Sequence, residues 1–394
     1  MSTTTNWRGV FTLFLVGAAT ALLPAKAAVA LPILQIEYDL SLFEAGLLVS
    51  IFSLIAAVFA AMFGAIADRY GQRRIAALGL LITVISSTVG TFAPDANLLL
   101  ISRVCEGLGF FLVGAAVPTL MLGHAADRDK QKAMGLWGAF VPAGGSFVLL
   151  VGGLIIDQFS WQGLWLFTSA ALVAATGAFL AVTREQTAAQ TGRSQATLGS
   201  AYRLLRLPGP ALMTLIFLCY SAQYMVLTAY FPLILVKEFN WTIAAAGLAG
   251  GLVFGCNMFG NMMSGVLLDR GLSRQSVLTI GALAMGLGGV GLFGSIFEVD
   301  GRIAGAILFS AIGGLIPGAL FAGVSKHAPD KSRLSSFNGM LMQGAAMGQF
   351  IGPPIAALFV ADTGDWSQIL WFSVTAASLV VTMAALLGRL ERHL

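Results

Sequence analysis

Twelve apolar runs, each about 20 residues long, divide this chain of 394 residues. An apolar helix of roughly 20 residues is long enough to cross the hydrocarbon core of a bilayer. Charged residues make up only 10% of the chain, whereas soluble domains carry about a quarter. The fold class is therefore an all-α membrane protein with twelve transmembrane helices. The predicted spans are 10–34, 42–64, 75–93, 97–122, 133–156, 162–182, 211–236, 243–266, 276–297, 302–325, 336–360 and 367–388.

A short charged turn occurs twice in the same context. The first copy, GAIADRYGQRR, covers residues 64–74, and the second, GVLLDRGLSR, begins 201 residues later at Gly265. Each follows one apolar run and precedes the next, which indicates a duplicated membrane domain. We predict an N-terminal six-helix bundle over 1–183, a polar cytoplasmic linker over 184–207, and a C-terminal six-helix bundle over 208–394.

The first copy follows the pattern G-x-x-x-D-R-x-G-x-R-R between the second and third spans. This pattern resembles the signature loop of the major facilitator superfamily, and the duplication strengthens the resemblance. The resemblance implies two pseudo-symmetric six-helix bundles related by an axis along the membrane normal. It also implies a central site between them that opens alternately to the two sides of the membrane.

Basic residues predict the orientation of the chain. With both termini in the cytoplasm, 18 of the 22 Lys and Arg residues fall in cytoplasmic segments, as the positive-inside rule requires. Arg8 and the segment Ala25-Lys26-Ala27 imitate a signal peptide, but the apolar stretch continues to Ile36. We therefore predict a retained first span in a multi-pass protein of a bacterial-type cytoplasmic membrane.

Three ionisable residues fall within the predicted spans, and all belong to the first half: Lys26, Arg103 and Glu106. Arg103 and Glu106 are three residues apart and share one helix face. Arg103 is predicted to lie about 8 Å from the outer end of its span and Lys26 about 9 Å from the outer end of its own. The three groups are thus at comparable depth, where a central cavity would let them meet.

Two structural interpretations compete with a functional one. Glu106 can neutralise Lys26 or Arg103 merely to hold two helices together, and Lys26 can extend outward along its stem. However, one carboxylate cannot neutralise two cations, so a positive charge remains that attracts an anion. Because buried charges in membranes are functional hypotheses by default, we predict that Lys26 and Arg103 bind an anion and that Glu106 carries or gates a proton.

The segment Arg103-Val-Cys-Glu106-Gly107-Leu-Gly109 also resembles the fourth-helix motif of the superfamily, R-x-x-q-G-x-g. In drug/proton antiporters that arginine is implicated in proton coupling. The fifth-helix Gly-Pro of such antiporters is absent from the matching position, residues 148–153, and the first span carries Lys26 where exporters often have an acidic residue. These departures favour an anion over efflux of a drug.

The second half contributes uncharged polar candidates within its spans. They are predicted to form a neutral polar wall of the substrate site, although each also suits an interhelical hydrogen bond. They are Tyr220, Gln223, Tyr224, Asn257, Asn261 and Gln343. Pro317 is predicted to bend the tenth span.

The charged turns also have a mechanical interpretation. Asp68 ends the second span and can interact with the positive N-terminal end of a neighbouring helix. The resemblance implies that this partner is span eleven, which begins near Ser335 and Ser336 in a cap-like setting. The predicted gating residues are Asp68, Arg69, Arg73, Arg74, Asp269 and Arg270. The second turn lacks the middle glycine position and the paired arginines, so a weaker latch is predicted there.

The predicted function is secondary active transport by alternating access, with proton-coupled uptake of a small organic or inorganic anion. A drug or metabolite/proton antiporter is the alternative, and a membrane sensor or a membrane-embedded enzyme is a less favoured class. We predict no enzymatic activity, no cofactor, no metal and no nucleic-acid partner. The predicted partners are the anion, protons and the lipid bilayer, and the chain is predicted to act as a monomer.

Overall fold

The structure is a computed structural model that describes residues 4–40, 42–183, 203–329, 333–361 and 365–392. Apart from turns and three-residue 3₁₀ segments, the described part of the chain is helical. The fourteen helices are α1 (Trp7–Thr20), α2 (Leu22–Glu37), α3 (Leu42–Tyr70), α4 (Gln72–Thr91), α5 (Ala96–His124), α6 (Lys130–Gly138), α7 (Phe140–Val182), α8 (Pro208–Phe239), α9 (Ile243–Asp269), α10 (Arg274–Phe293), α11 (Val299–Gly313), α12 (Leu315–His327), α13 (Leu334–Ala361) and α14 (Ile369–Glu391).

Ten segments of the described residues are long and apolar enough to cross a membrane. One of them, Asp127–Val182, has 56 residues, which is about 84 Å of helix against a hydrocarbon core of about 30 Å. Its backbone leaves the helical conformation at Ser160 (φ 61°, ψ 179°), so the segment provides two crossings. The 28-residue helix α13 adds another. The helices of the described ranges thus account for twelve spans.

Prolines interrupt three of the twelve spans, and α7 joins the end of the fifth span to the sixth, so the described ranges contain fourteen helices. The first, fifth and tenth spans are interrupted at Ala21, Ala139 and Gly314, each three residues before a proline. Because proline has no N–H, the carbonyl four residues earlier loses its helical partner, and in each case that carbonyl belongs to the last residue of the preceding helix. The three prolines are Pro24, Pro142 and Pro317. At Pro317, where the sequence predicts a bend, the helix is therefore interrupted.

The chain divides into two compact units. Unit 1 comprises Met1–Asp129, Phe140–Arg203 and Ala328–Gln343, and unit 2 comprises Lys130–Ala139, Leu204–His327 and Gly344–Leu394. The units follow the two predicted halves except for two short segments, 130–139 and 328–343. Most of the predicted linker, residues 184–202, lies outside the described residues.

Each unit has its own helix pairings. In unit 1, α4 packs on α5 and on α7, and α7 also packs on α1 and α2. In unit 2, α10 packs on α11 and α14, and α9 packs on α6 and α12. Trp161 and Trp165 are fully buried near the start of the sixth span, with ring centres 5.3 Å apart in an edge-to-face arrangement. This packing fixes the helix faces that carry the polar groups described next.

Candidate functional site in the first unit

Three ionisable side chains from two helices meet inside unit 1. Lys26 of α2, Arg103 of α5 and Glu106 of α5 are each fully buried. The Lys26 Nζ atom is 2.6 Å from Glu106 Oε1, and Arg103 Nη1 forms an ion pair with Glu106 Oε2. Each carboxylate oxygen therefore faces a different cation. This geometry brings together the three groups that the sequence placed at similar depth.

Helix starts set the position of this ionic cluster. The Asp95 carboxylate caps α5 by accepting a hydrogen bond from Leu98 N at 2.8 Å, which fixes where that helix begins. Arg103 and Glu106 then follow within about three turns on one face. Lys26 lies shortly after the proline-linked interruption at Ala21. The first span therefore resumes as a helix just before the residue that joins the cluster.

Neutral groups complete the environment of Lys26. Its ammonium group also donates to Ser87 Oγ at 2.8 Å and to Thr168 Oγ1 at 3.3 Å, and it lies 4.4 Å from the centre of the Trp165 ring. With Glu106, these acceptors match the three N–H bonds of the ammonium group. Ser87, Thr168 and Trp165 were not predicted as site residues from the sequence. Each is a hydroxyl or indole side chain inside an apolar span. Such residues are too common in membrane helices to indicate a site by themselves.

Arg103 is less completely paired than Lys26. Its Nη1 atom also donates to Leu23 O at 2.8 Å, and its guanidinium lies 4.8 Å from the centre of the Phe52 ring. Arg103 Nη2 and Trp165 Nε1 are both buried without a hydrogen-bond partner among the described residues. Buried donors without acceptors are unfavourable. Two cations and one carboxylate also leave one positive charge in excess, so the cluster is suited to an additional anionic acceptor.

The predicted neutral residues of the second half form a separate network in unit 2. Tyr220 donates through its hydroxyl to Asn257 Oδ1 at 3.1 Å, and Asn261 Nδ2 donates to the same oxygen at 2.8 Å. Asn257 Nδ2 in turn donates to Ser310 O at 2.9 Å. Tyr224 donates to Phe254 O at 2.9 Å and stacks on Tyr220 with ring centres 5.6 Å apart. These contacts join α8, α9 and α11.

Two other predicted wall residues lie outside that network. Gln223 Nε2 donates to Cys219 O within the same helix at 3.3 Å. Gln343 belongs to unit 1, where its Nε2 donates to Ala57 O at 3.1 Å and to Val58 O at 3.0 Å. Gln343 therefore ties the start of the eleventh span to α3 and is not brought together with the tyrosines and asparagines.

Asp68 occupies the helix-capping position that the family resemblance implied. Its Oδ1 accepts from Ser335 N at 3.1 Å, and its Oδ2 accepts from Ser336 N at 2.6 Å and from Ser336 Oγ at 2.5 Å. Both seryl N–H groups lie at the start of α13, where backbone donors have no helical acceptor. The carboxylate is buried and faces the positive end of the helix dipole. Arg73 Nε donates to Thr183 Oγ1 at 3.0 Å, whereas Arg69 and Arg74 are exposed.

The second turn makes a simpler contact in unit 2. Asp269 Oδ2 is 3.1 Å from Lys132 Nζ, near the start of the fifth span, and Arg270 is exposed. Gly71 (φ 98°) and Gly271 (φ 91°) both adopt left-handed backbone conformations. The second turn therefore also has a glycine with positive φ, two residues after its aspartate and not three as in the first turn. The shift by one position explains why the two motifs did not match at this glycine.

Twelve apolar spans, a duplicated aspartate turn and a fully buried ionic cluster define a polytopic membrane transporter. The chain belongs to the Major Facilitator Superfamily, whose sequence profile matches residues 9–331 and 212–394.

Curated relatives of this chain include a hexuronate transporter and resistance proteins. It is 23% identical over 385 residues to the hexuronate transporter of Bacillus subtilis, a match that covers 90% of this chain and 88% of that protein. It is 25% identical over 254 residues to the methyl viologen resistance protein SmvA of Salmonella typhimurium. That match covers 64% of this chain and 47% of SmvA, so the chain spans about half the length of that relative.

Solved structures share the fold of this chain. The superfamily transporter FucP in its outward conformation matches with a TM-score of 0.74 at 15% identity, covering 96% of this chain and 98% of FucP. The human organic anion transporter MFSD10 (TETRAN) matches with a TM-score of 0.75 at 15% identity, covering 98% and 100%. Identities this low establish the common fold alone.

Proposed function

We propose that the chain couples the uptake of a small organic or inorganic anion to the entry of a proton, with Lys26 and Arg103 as anion-binding residues and Glu106 as the proton carrier. One observation carries the proposal: a single buried carboxylate bridges two buried cations. The carboxylate of Glu106 acts as an internal substitute for the substrate anion.

The bridge gives a physical reason for coupling. While Glu106 is ionised, its two oxygens occupy the cationic groups that an incoming anion needs. Protonation removes that competition and leaves two buried cations, which are strongly unfavourable without a counter-charge. An entering anion supplies this counter-charge. Proton and anion therefore bind together more favourably than either does alone, and release of the anion on the other side favours release of the proton.

The same charges predict the electrical character of transport. The empty cluster carries two cations and one carboxylate, for a net charge of +1. The loaded cluster carries two cations, a neutral Glu106 and one monovalent anion, which is again +1. For a monovalent anion, uptake is therefore expected to respond to a pH gradient and not to a membrane potential. Potassium gradients with valinomycin, imposed on proteoliposomes, separate these two driving forces.

One of the relatives supports an anion as substrate. A hexuronate is a carboxylate, and the hexuronate transporter matches nearly the full length of this chain. The neutral network of Tyr220, Tyr224, Asn257 and Asn261 supplies hydroxyl and amide groups for the uncharged part of such a substrate. In this proposal Gln223 and Gln343 serve helix packing more than substrate contact, because their amides bond to backbone carbonyls.

We further propose that the Asp68 cap is a gate on the cytoplasmic side. It joins the end of α3 to the start of α13 through three hydrogen bonds to one carboxylate. The Asp269–Lys132 pair joins α9 to α6 through one partly exposed ion pair and acts as the weaker counterpart. In this proposal both termini lie in the cytoplasm of a bacterial-type cell with the chain in its inner membrane.

Uptake of radiolabelled glucuronate into proteoliposomes under an imposed pH gradient tests the proposal. We expect accumulation by the unmodified protein and loss of proton-driven accumulation in Glu106→Gln. The matched control is Glu298→Gln, because Glu298 is exposed and makes no side-chain capping bond. Proton-driven accumulation that survives in Glu106→Gln would show that Glu106 does not couple transport.

The second candidate is proton antiport of cationic drugs, which the resistance proteins among the relatives favour. In that case Glu106 would bind the cation directly after giving up Lys26. Methyl viologen is the probe: efflux from loaded proteoliposomes, with no accumulation of glucuronate, would select this function over anion uptake.

A further inference from the structure

A cavity of about 620 Å³ opens in unit 2, at helix ends that the sequence predicts to be cytoplasmic. Its walls come from the turn between α9 and α10, the end of α12, the end of α14 and Gln131. Pockets of about 300–1,000 Å³ suit small organic ligands. Apart from Gln131, the residues that line the cavity lie more than 150 residues after Glu106 in the sequence.

A buried ion pair forms one wall of this cavity. Glu391 at the end of α14 pairs with Arg274 Nη1 and lies 2.8 Å from His327 Nε2. Arg274, which is 7% exposed, also donates from Nε to Ala319 O at 3.0 Å. The carboxylate is therefore already engaged, and Arg274 and Glu391 together add no net charge.

Two further cations reach the cavity, and Glu391 is the one carboxylate among the described residues that line it. Lys326 is exposed, and its Nζ atom is 3.9 Å from Glu391 Oε2, at the outer limit of an ion pair. Arg392 is exposed and makes no hydrogen bond or ion pair with the described part of the chain. Both line the cavity, together with the amides of Gln131 and Gln275 and the hydroxyl of Ser273. The cavity thus combines about two surplus positive charges with neutral hydrogen-bonding groups.

The corresponding position in unit 1, at the arginine after the first charged turn, differs. There Arg73, which follows the first charged turn as Arg274 follows the second, donates to the neutral hydroxyl of Thr183 at the end of the sixth span. A histidine is common to the two units, because His124 ends α5 as His327 ends α12, and a Cβ atom at Gly9 or at Gly209 would meet its ring. The difference between the described parts of the two units is the partner of the arginine, which is a neutral hydroxyl in unit 1 and the Glu391 carboxylate in unit 2.

We infer that this cavity is a binding site for a phosphate-bearing anion that reaches it from the cytoplasmic side. A phosphate monoester carries close to two negative charges at neutral pH, which matches the two surplus cations. Its oxygens accept charge-assisted hydrogen bonds from lysine and arginine. The phosphodiester headgroup of an anionic phospholipid carries one negative charge, but its oxygens accept the same charge-assisted hydrogen bonds. Both a soluble phosphate ester and such a headgroup can approach a cavity at the membrane surface.

Thermal unfolding of the purified full chain tests the site without any transport assay. The probes are inorganic phosphate and glycerol 3-phosphate in detergent, and nanodiscs of phosphatidylcholine with and without phosphatidylglycerol. The test variant is Lys326→Gln/Arg392→Gln, which changes only exposed side chains. The matched control is Arg389→Gln, because Arg389 is exposed on the same helix but does not line the cavity.

We expect at least one probe to raise the midpoint of unfolding in a saturable manner at constant ionic strength. The double variant should weaken the binding of that probe about tenfold, and Arg389→Gln should leave the affinity unchanged. Stabilisation by the soluble esters identifies a cytoplasmic metabolite as the source, and stabilisation by phosphatidylglycerol alone identifies the lipid. Equal weakening in the test and control variants, or no stabilisation by any probe, overturns the inference.

Discussion

The two units bury their polar groups in opposite ways. Unit 1 holds an ionic cluster of Lys26, Arg103 and Glu106 within its spans, whereas the network of Tyr220 and Asn257 within unit 2 is neutral. At the arginines that follow the two charged turns the contrast reverses, because Arg73 in unit 1 donates to a neutral hydroxyl and Arg274 in unit 2 forms an ion pair. A duplicated fold can thus keep its helices and turns while charge moves to different depths in each copy.

The largest effect is expected within the spans, where the ionic cluster of unit 1 is compared with the neutral network of unit 2. Glu106→Gln leaves two buried cations without a counter-charge and is expected to lower the free energy of unfolding by about 3–5 kcal/mol. Asn257→Ala removes neutral hydrogen bonds and should lower it by about 1–3 kcal/mol. Chemical unfolding of both variants in the same detergent measures the difference. Adding Lys26→Met to Glu106→Gln should restore part of the loss, and equal losses in the two single variants would contradict the contrast.

The next effect concerns the two arginines that follow the charged turns, Arg73 and Arg274. Arg274→Gln removes the charged partner of Glu391 that is itself mostly buried and is expected to lower the free energy of unfolding by about 2 kcal/mol. Arg73→Gln removes a bond to a neutral hydroxyl and should lower it by less than about 1 kcal/mol. The same unfolding assay compares them. A loss for Arg73→Gln as large as that for Arg274→Gln would show that the two arginines contribute equally to the free energy of unfolding.

A smaller effect separates the two aspartate turns. Asp68→Asn removes the charge that faces the start of α13 and should lower the free energy of unfolding by about 1–2 kcal/mol. Asp269→Asn affects one partly exposed ion pair and should lower it by no more than about 1 kcal/mol. Initial rates of uptake provide a second measurement, with the larger change expected for Asp68→Asn. The order of the two effects is the critical result.

The smallest effect should be equal in the two units. Gly71 and Gly271 have left-handed backbones, and a Cβ atom at either would meet nothing within 4 Å. Alanine at each site therefore introduces backbone strain alone, expected to be about 1 kcal/mol. Thermal unfolding of Gly71→Ala and Gly271→Ala tests this symmetry. A difference of more than about 1 kcal/mol between them would mean that the turns differ in more than their contacts.

Much of the fold and part of the site could be predicted from the sequence. Apolar length gave the twelve spans, and the repeated turn gave the duplication, because both patterns are local in sequence. The meeting of Lys26, Arg103 and Glu106 was predictable because charges are rare in lipid and their depths follow from residue counts. The contact of Asp68 with Ser335 and Ser336 followed from the family resemblance.

Other features depend on packing that no local pattern records. Ser87, Thr168 and Trp165 surround Lys26, but hydroxyls and indoles are frequent in membrane helices and none stands out. Gln343 is assigned by sequence to the second half, yet it packs in unit 1, because 328–343 belongs to that unit. The helix interruptions before Pro24 and Pro142 could have been predicted from the missing proline N–H, by the same reasoning that predicted a bend at Pro317.

The assignment of residues 328–343 to unit 1 has a consequence for biosynthesis. A ribosome makes the chain from the N-terminus, and domains commonly fold as they emerge. The backbone donors that Asp68 accepts from are encoded 267 and 268 residues later. The first unit therefore cannot reach its final state while its own residues are being synthesised. Asp68 has no α13 donors to accept from until most of the second half has been translated and inserted.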